Sequence, residues 1–200
     1  MIAVDVEASG IGPDTHSIVS VGAVDLSDPS RQLYEECRVW DGATINDEAL
    51  LVNGFDLEQI TDPAKQSEAE LAHKFAAWAA ASPDRTLAGQ NVSFDRDILQ
   101  DAAARAKHTD WPFAHRTIDS HSLAWMHMVK RGLTPPIDSE HKRSALNLDA
   151  ILVYCGIPEE PQPHNALTGA KCHAEVISRL LYDKKLLPEF EQFEIPWIVA

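Results

Sequence analysis

The chain opens on a short β-branched run, Ile2-Ala3-Val4-Asp5-Val6, closed by the glycine-rich turn Ser9-Gly10-Ile11-Gly12-Pro13. Ser17 to Leu26 is apolar almost throughout, and after Ser27-Asp28-Pro29-Ser30 the chain returns over Gln32 to Trp40. These three runs predict an antiparallel meander. Residues 45–63 carry short helical pieces around Asn53-Gly54 and read as a long surface excursion of the kind that holds binding residues. Beyond it the apolar period changes. Leu71, Phe75, Trp78 and Ala79 recur at helical spacing, and Thr86 to Gly89 reads as a short buried strand. Ile98, Leu99 and Ala102 mark a helix, Thr117-Ile118-Asp119 a strand, and Leu123 to Val129 another helix. Residues 132–143 are polar and predicted mobile. Leu146, Ala150, Ile151 and Val153 predict a helix ended by Gly156, and a last long helix places Leu167, Ala170, Ala174, Ile177 and Leu181 on one face. The sum is an α/β domain: a mixed β-sheet, antiparallel meander plus parallel strands, flanked by helices.

Two hundred residues suit one compact domain over 1–200. With 44% hydrophobic and 24% charged residues, the chain falls outside the disordered, collagenous and coiled-coil classes. Seventeen Lys and Arg against 31 Asp and Glu leave a net charge of −14, which disfavours a broad basic face gripping long duplex. Bound cations can still reverse the field locally and admit a phosphate substrate. Cys37, Cys155 and Cys172 are odd in number and form no CxxC pair, so neither a disulfide framework nor a cysteine zinc cluster is expected. No apolar run approaches the roughly 20 residues of a membrane span, and Met1 leads into a strand-like segment rather than a leader peptide, so a cytoplasmic protein is expected.

Three places carry chemistry. Asp5 and Glu7 stand two apart on a strand, so both carboxylates leave the same face. Like charges so placed raise each other's pKa unless a hard divalent cation neutralises them; the plain alternative is a solvent-facing pair. In Gly89-Gln90-Asn91-Val92-Ser93-Phe94-Asp95 a strand ends, polar residues turn and an acid opens a helix, where Asp95 also fits an ordinary helix-initiating role. In Pro163-His164-Asn165-Ala166-Leu167 a histidine stands at the mouth of the final helix, either as a surface or cap residue or as a proton acceptor that titrates near neutrality.

In this order and with these flanks, the three elements resemble the DnaQ-like 3′-to-5′ exonucleases, the DEDDh group that includes proofreading subunits, RNase T and oligoribonuclease. Asp5-Val6-Glu7-Ala8-Ser9-Gly10 is similar to the first exonuclease motif, Asn91 to Asp95 to the second, and His164-Asn165-Ala166-Leu167 to the opening of the third. Ile45 to Phe55 resembles the family's substrate-contacting loop, Ile118-Asp119-Ser120 its fourth-strand exit, and Leu146 to Ile151 the helix before the third motif. One position departs. Where the family carries an aspartate five residues after the histidine, this chain has Gly169, which loses an acidic ligand and leaves room for a water or an acid from elsewhere. His173, one turn on, and Glu175, on another face, are unconvincing substitutes.

The resemblance implies an RNase H-like fold and metal-dependent hydrolysis of the 3′-terminal phosphodiester, releasing nucleoside 5′-monophosphates. Two Mg²⁺ or Mn²⁺ ions would be clamped by Asp5, Glu7 and Asp95, with Asp5 bridging both, and His164 would take a proton from the attacking water. Amides around Ser9 and Gly10 would meet the terminal 3′-hydroxyl, Ile11 and Phe94 would pack on the last bases, and Asn53, Gly54 and Phe55 would line the pocket; for Phe94 and Phe55 core packing is the alternative. The expected partners are single-stranded DNA or RNA 3′ ends or short oligonucleotides. Two rival readings keep the fold without the reaction: a degenerate nucleic-acid- or nucleotide-binding module, and an interaction subunit. The tail Ile195-Pro196-Trp197-Ile198-Val199 suits either a homodimer interface or a return onto the core.

Overall fold

The computed structural model describes residues 1–12, 14–107 and 111–198; Pro13 of the first turn and Val199 of the tail lie outside the described residues. The meander forms as its periodicity predicts: β1 (Ile2–Ala8) pairs antiparallel with β2 (Ile18–Asp25), and β2 with β3 (Gln32–Glu36). Every residue of β2 is buried, which explains its near-continuous apolar sequence. β3 stops at Glu36 rather than Trp40, because Arg38 N–H turns to Gln66 O and Val39 N–H to Ile60 O, pairing this stretch with the excursion instead of β2.

The excursion holds α1 (Asp47–Asn53) and α2 (Leu57–Thr61), started by the side chains of Asn46 and Asp56. α3 (Glu68–Ala79) begins at a capping box between Ser67 and Glu70. β4 (Leu87–Gly89), α4 (Ser93–Arg105), β5 (Thr117–Asp119) and α5 (Ser120–Lys130) follow as alternating strands and helices. The segment predicted mobile contains a two-residue hairpin, β6 (Ile137–Asp138) against β7 (Arg143–Ser144), whose turn is held by Asp138 accepting the Glu140 and His141 N–H groups. Four paired residues are too few for an alternating signal. α6 (Leu148–Tyr154) and α7 (Ala166–Tyr182) complete the chain before a tail that returns onto it. Ile195 is buried there, and Trp197 donates to Asp183 and stacks on Tyr154.

The main sheet runs β3-β2-β1-β4-β5, antiparallel on one side of β1 and parallel on the other, with helices on both faces: an RNase H-like fold. Ile2, Val4, Val6 and Ala8 face a core shared with Leu71, Phe75, Ile98 and Leu99 of α3 and α4. Ala3 faces the other way, packed with Ala170 and Ala174 of α7. Strand alternation therefore places Asp5 and Glu7 on the α7 face. Among the described residues, no helix is long and apolar enough to cross a membrane.

Candidate active site

The site forms where β1 outruns its parallel neighbour. β4 pairs with β1 only at Ile2↔Leu87 and Ala3↔Ala88, so the second half of β1 has no strand on that edge. Asp95, in the first turn of α4, takes the vacant place: its Oδ1 accepts the Val6 N–H at 2.9 Å. Asp95 is thereby drawn from the α4 face around the edge of β1 toward the acids on the opposite face. The preceding turn is pinned by Asp119 at the end of β5, whose Oδ2 accepts the Asn91 N–H at 2.8 Å; Asn91 has a left-handed φ of 52°.

α7 meets the sheet at small residues. A Cβ on Gly22 would overlap the Ala166 carbonyl, so glycine is what lets the N-terminus of α7 rest on β2. Gly169 faces Asp5, and a Cβ there would collide with the Asp5 carboxylate. The room anticipated at Gly169 is thus occupied by Asp5 itself, with His173 Nε2 3.3 Å from Asp5 Oδ1. His173 is 2% exposed, and its Nδ1 has no hydrogen-bond partner. His164, half-buried just before α7, is located by its backbone: its N–H donates to Val52 O at 3.0 Å, tying it to α1.

A further buried acid feels the charge of Asp5. Glu160 comes from the proline-rich loop before His164; its N–H donates to Asp149 Oδ1 at 3.1 Å. Burial first, then Asp5 and Asp149, push Glu160 up to about 7. Glu7 is pushed up to about 8 by burial, then by Asp5 and Glu160, and Asp95 is raised well above the carboxylate range by burial and then Asp5. Sequence reading missed Glu160 because nothing at its position, within Glu159-Glu160-Pro161, distinguishes it from a solvated loop acid.

The proposed substrate contacts are distributed unevenly. Ile11 is 87% exposed beside the site-bearing turn, whereas Ser9 is fully buried, donating its N–H to Ser17 O and its hydroxyl to Thr44 O. The Ser9 amide is therefore committed within the protein, and Ser9 positions the turn instead of presenting a donor. Gly10 is buried under the His16 ring. Asn53 holds the α1 end to β1, donating from Nδ2 to Ala8 O at 3.2 Å, and Gly54 lies against Pro163. Phe55 packs with Val19, Leu50 and Ile60 under Lys65, and half-buried Phe94 packs on the α3/α4 core.

Hard oxygen donors without a neighbouring Lys or Arg are the chemistry a divalent cation requires. No Lys or Arg pairs with Asp5, Glu7, Asp95 or Glu160 among the described ion pairs. Also among the described residues, no three His, Cys, Asp or Glu side chains are placed to hold one ion together. The one arrangement these donors leave open to a divalent cation is a largely hydrated ion on one or two carboxylates.

The mixed sheet, with acids at the open edge of its first strand, has the RNase H-like fold, and comparison with solved structures finds that fold in exonuclease I. A moderately thermophilic exonuclease I from Methylocaldum szegediense matches at 18% identity and TM-score 0.69 over 92% of this chain and 41% of that one. E. coli exonuclease I in complex with a dT13 oligonucleotide matches at 16% and 0.66 over 89% and 40%. The zinc-ion-bound form of the E. coli exonuclease I–ssDNA complex matches at 14% and 0.69 over 92% and 41%. At such identities the shared property is the fold, and the chain spans about two fifths of the length of each. No family model matches the chain, and no curated protein matches it in sequence.

Proposed function

We propose that this chain is a divalent-metal-dependent 3′-to-5′ exonuclease of the DnaQ-like, DEDDh type, acting on the 3′ ends of single-stranded or short DNA or RNA. The observation that carries the reading is an imbalance among buried acids. Asp25, Glu68 and Glu175 each have an arginine partner, in Arg31, Arg105 and Arg179, while Asp95 and Glu160 have none and feel the charge of Asp5. Stability alone gives no reason to gather unpaired carboxylates at an open strand edge. Exonuclease I structures of the same fold, including complexes with dT13 and dA16 oligonucleotides and a complex with ssDNA, support the substrate class.

Mg²⁺ or Mn²⁺, when bound, would supply the positive charge that lets a phosphodiester be attacked by water. Asp5, Glu7 and Asp95 would hold the cations. His164 accepts a proton from the water as its oxygen bonds to phosphorus. The bond from phosphorus to the 3′-oxygen breaks, that oxygen takes a proton, and the products are a nucleoside 5′-monophosphate and a strand one nucleotide shorter. Ile11, exposed beside the site-bearing turn, packs on the terminal bases, a contact tolerant of sequence.

A second reading has its own observation: with Gly169 in place of the fourth acid and Asp5 filling its room, the fold serves as a non-catalytic nucleic-acid-binding module. One assay separates them. An end-labelled single-stranded oligonucleotide incubated with Mn²⁺ is shortened stepwise from its 3′ end by the unaltered chain, and Asp5→Asn slows this at least about a hundredfold. Cleavage only in Gly169→Asp, where the Asp5 side chain must turn aside, establishes the binding module instead. Binding without cleavage in every variant excludes the exonuclease.

A further inference from the structure

We infer that His173 is a positioning residue of this site: from α7 it donates a hydrogen bond to Asp5 and holds that carboxylate for the reaction, which rests on the exonuclease reading. His173 Nε2 lies 3.3 Å from Asp5 Oδ1, and an ionised carboxylate only accepts, so the proton of this bond belongs on Nε2. The ring is confined. It is 2% exposed, and a Cβ on Gly89 of β4 would stand 3.3 Å from its Cδ2. Its Nδ1 is buried without a hydrogen-bond partner, and its helical neighbours Ala170 and Ala174 pack in an apolar cluster with Ala3. A buried imidazole with one nitrogen unbonded costs stability that an apolar side chain of similar volume would not. The bond to Asp5 is what the histidine provides in return.

Gly169 and His173 stand four residues apart and so share one face of α7. Asp5 meets both. Its Oδ2 approaches Gly169 where a side chain would otherwise stand, and its Oδ1 faces His173. Glycine supplies the room and histidine the donor, and together they cradle one carboxylate. With Nδ1 unpartnered, the tautomer carrying its single proton on Nε2 makes the bond to Asp5 and leaves no N–H buried without an acceptor. A neutral donor of this kind orients Asp5 without cancelling the negative charge that a cation needs, as a Lys or Arg partner would. His173 therefore acts through Asp5 and is not itself a ligand.

The test uses the full chain and two kinds of measurement. In the metal-free protein, the imidazole nitrogen resonances of His173 show the proton on Nε2, and Asp5→Ala shifts them; an unprotonated Nε2, or resonances that Asp5→Ala leaves in place, overturns the inference. In the oligonucleotide assay with Mn²⁺, His173→Leu lowers kcat at least about tenfold while KM for the oligonucleotide stays within about twofold, and His173→Gln, which keeps a donor at the end of its side chain, recovers most of the loss. Unaltered kcat in folded His173→Leu, or a His173→Gln as slow as His173→Leu, refutes the positioning role and leaves the exonuclease reading standing. Absence of cleavage by the unaltered chain removes that reading and the role with it, even where the resonances still show the bond to Asp5.

Discussion

The two ends of α7 treat buried charge in opposite ways. In its second half Glu175 and Arg179, both fully buried, meet at 2.7 Å. Arg179 also donates to the carbonyls of Cys155 and Phe190, and Glu175 accepts the N–H groups of Leu186 and Leu187, so the pair fastens the returning tail. In its first half the helix presents Gly169 and His173 to Asp5, on the face it shares with Glu7, and among the described residues no arginine or lysine pairs with these acids or with Asp95. A closed set of opposite charges is a structural device. Like charges at an open strand edge, without a Lys or Arg partner among the described residues, give stability nothing, and this contrast marks the two ends of one helix.

Breaking the closed end has the largest expected effect on stability. Glu175→Gln leaves the Arg179 charge buried without its counterion and costs about 3–5 kcal/mol, measured by urea denaturation. Gly22→Ala forces a methyl into the Ala166 backbone and costs about 1–3 kcal/mol in the same measurement, an ordinary overpacking penalty at the seat of α7.

The open end responds with the opposite sign. Glu7→Gln removes a carboxyl pushed up to about 8 and stabilises the metal-free protein at neutral pH by about 3 kcal/mol, while reducing nuclease activity at least about a hundredfold. Destabilisation of the metal-free protein by Glu7→Gln would break the contrast between the two ends.

The same acids impose a pH slope. Glu7 and Glu160 ionise in the unfolded chain near 4.5, but in the folded metal-free chain only near 8 and 7. Between these values the folded state holds more protons than the unfolded one, so stability declines as pH rises from about 5 to about 8. Thermal midpoints in a chelator should trace this decline, saturating Mn²⁺ should flatten it, and Glu7→Gln with Glu160→Gln should remove most of it. Asp25 acts in a different window. Burial raises it, but hydrogen bonds from Ser27 and Ser82, with Arg31, bring it below the usual range, so its contribution is lost only in more acidic solution, below about 4.

Much of the architecture was legible because it rests on local periodicity. The unbroken apolar run of β2, the two-residue alternation that puts Asp5 and Glu7 on one face, and the helical spacing of α7 all appear within short windows. What escaped depends on distant partners. β3 ends early because Arg38 and Val39 find residues 66 and 60, and the β6–β7 hairpin is too short to show a period. At the site, Asp95 could be read as a helix-opening acid but not as the acceptor of an N–H 89 residues away. Ser9 looked like an exposed turn donor because nothing local announces Ser17 and Thr44 as its partners.

The sequence by itself determined the order of strands and helices, the shared face of the first two acids and the absence of an acid at 169, since each depends on residue type and spacing. Only the tertiary structure decided that Asp5 fills the place beside Gly169, that His173 faces it and that Glu160 is buried where the charge of Asp5 reaches it. Those positions follow from close approach of α7 to β1 and from where a proline-rich loop is anchored, and packing distances of this kind are properties of the assembled chain rather than of any stretch of it.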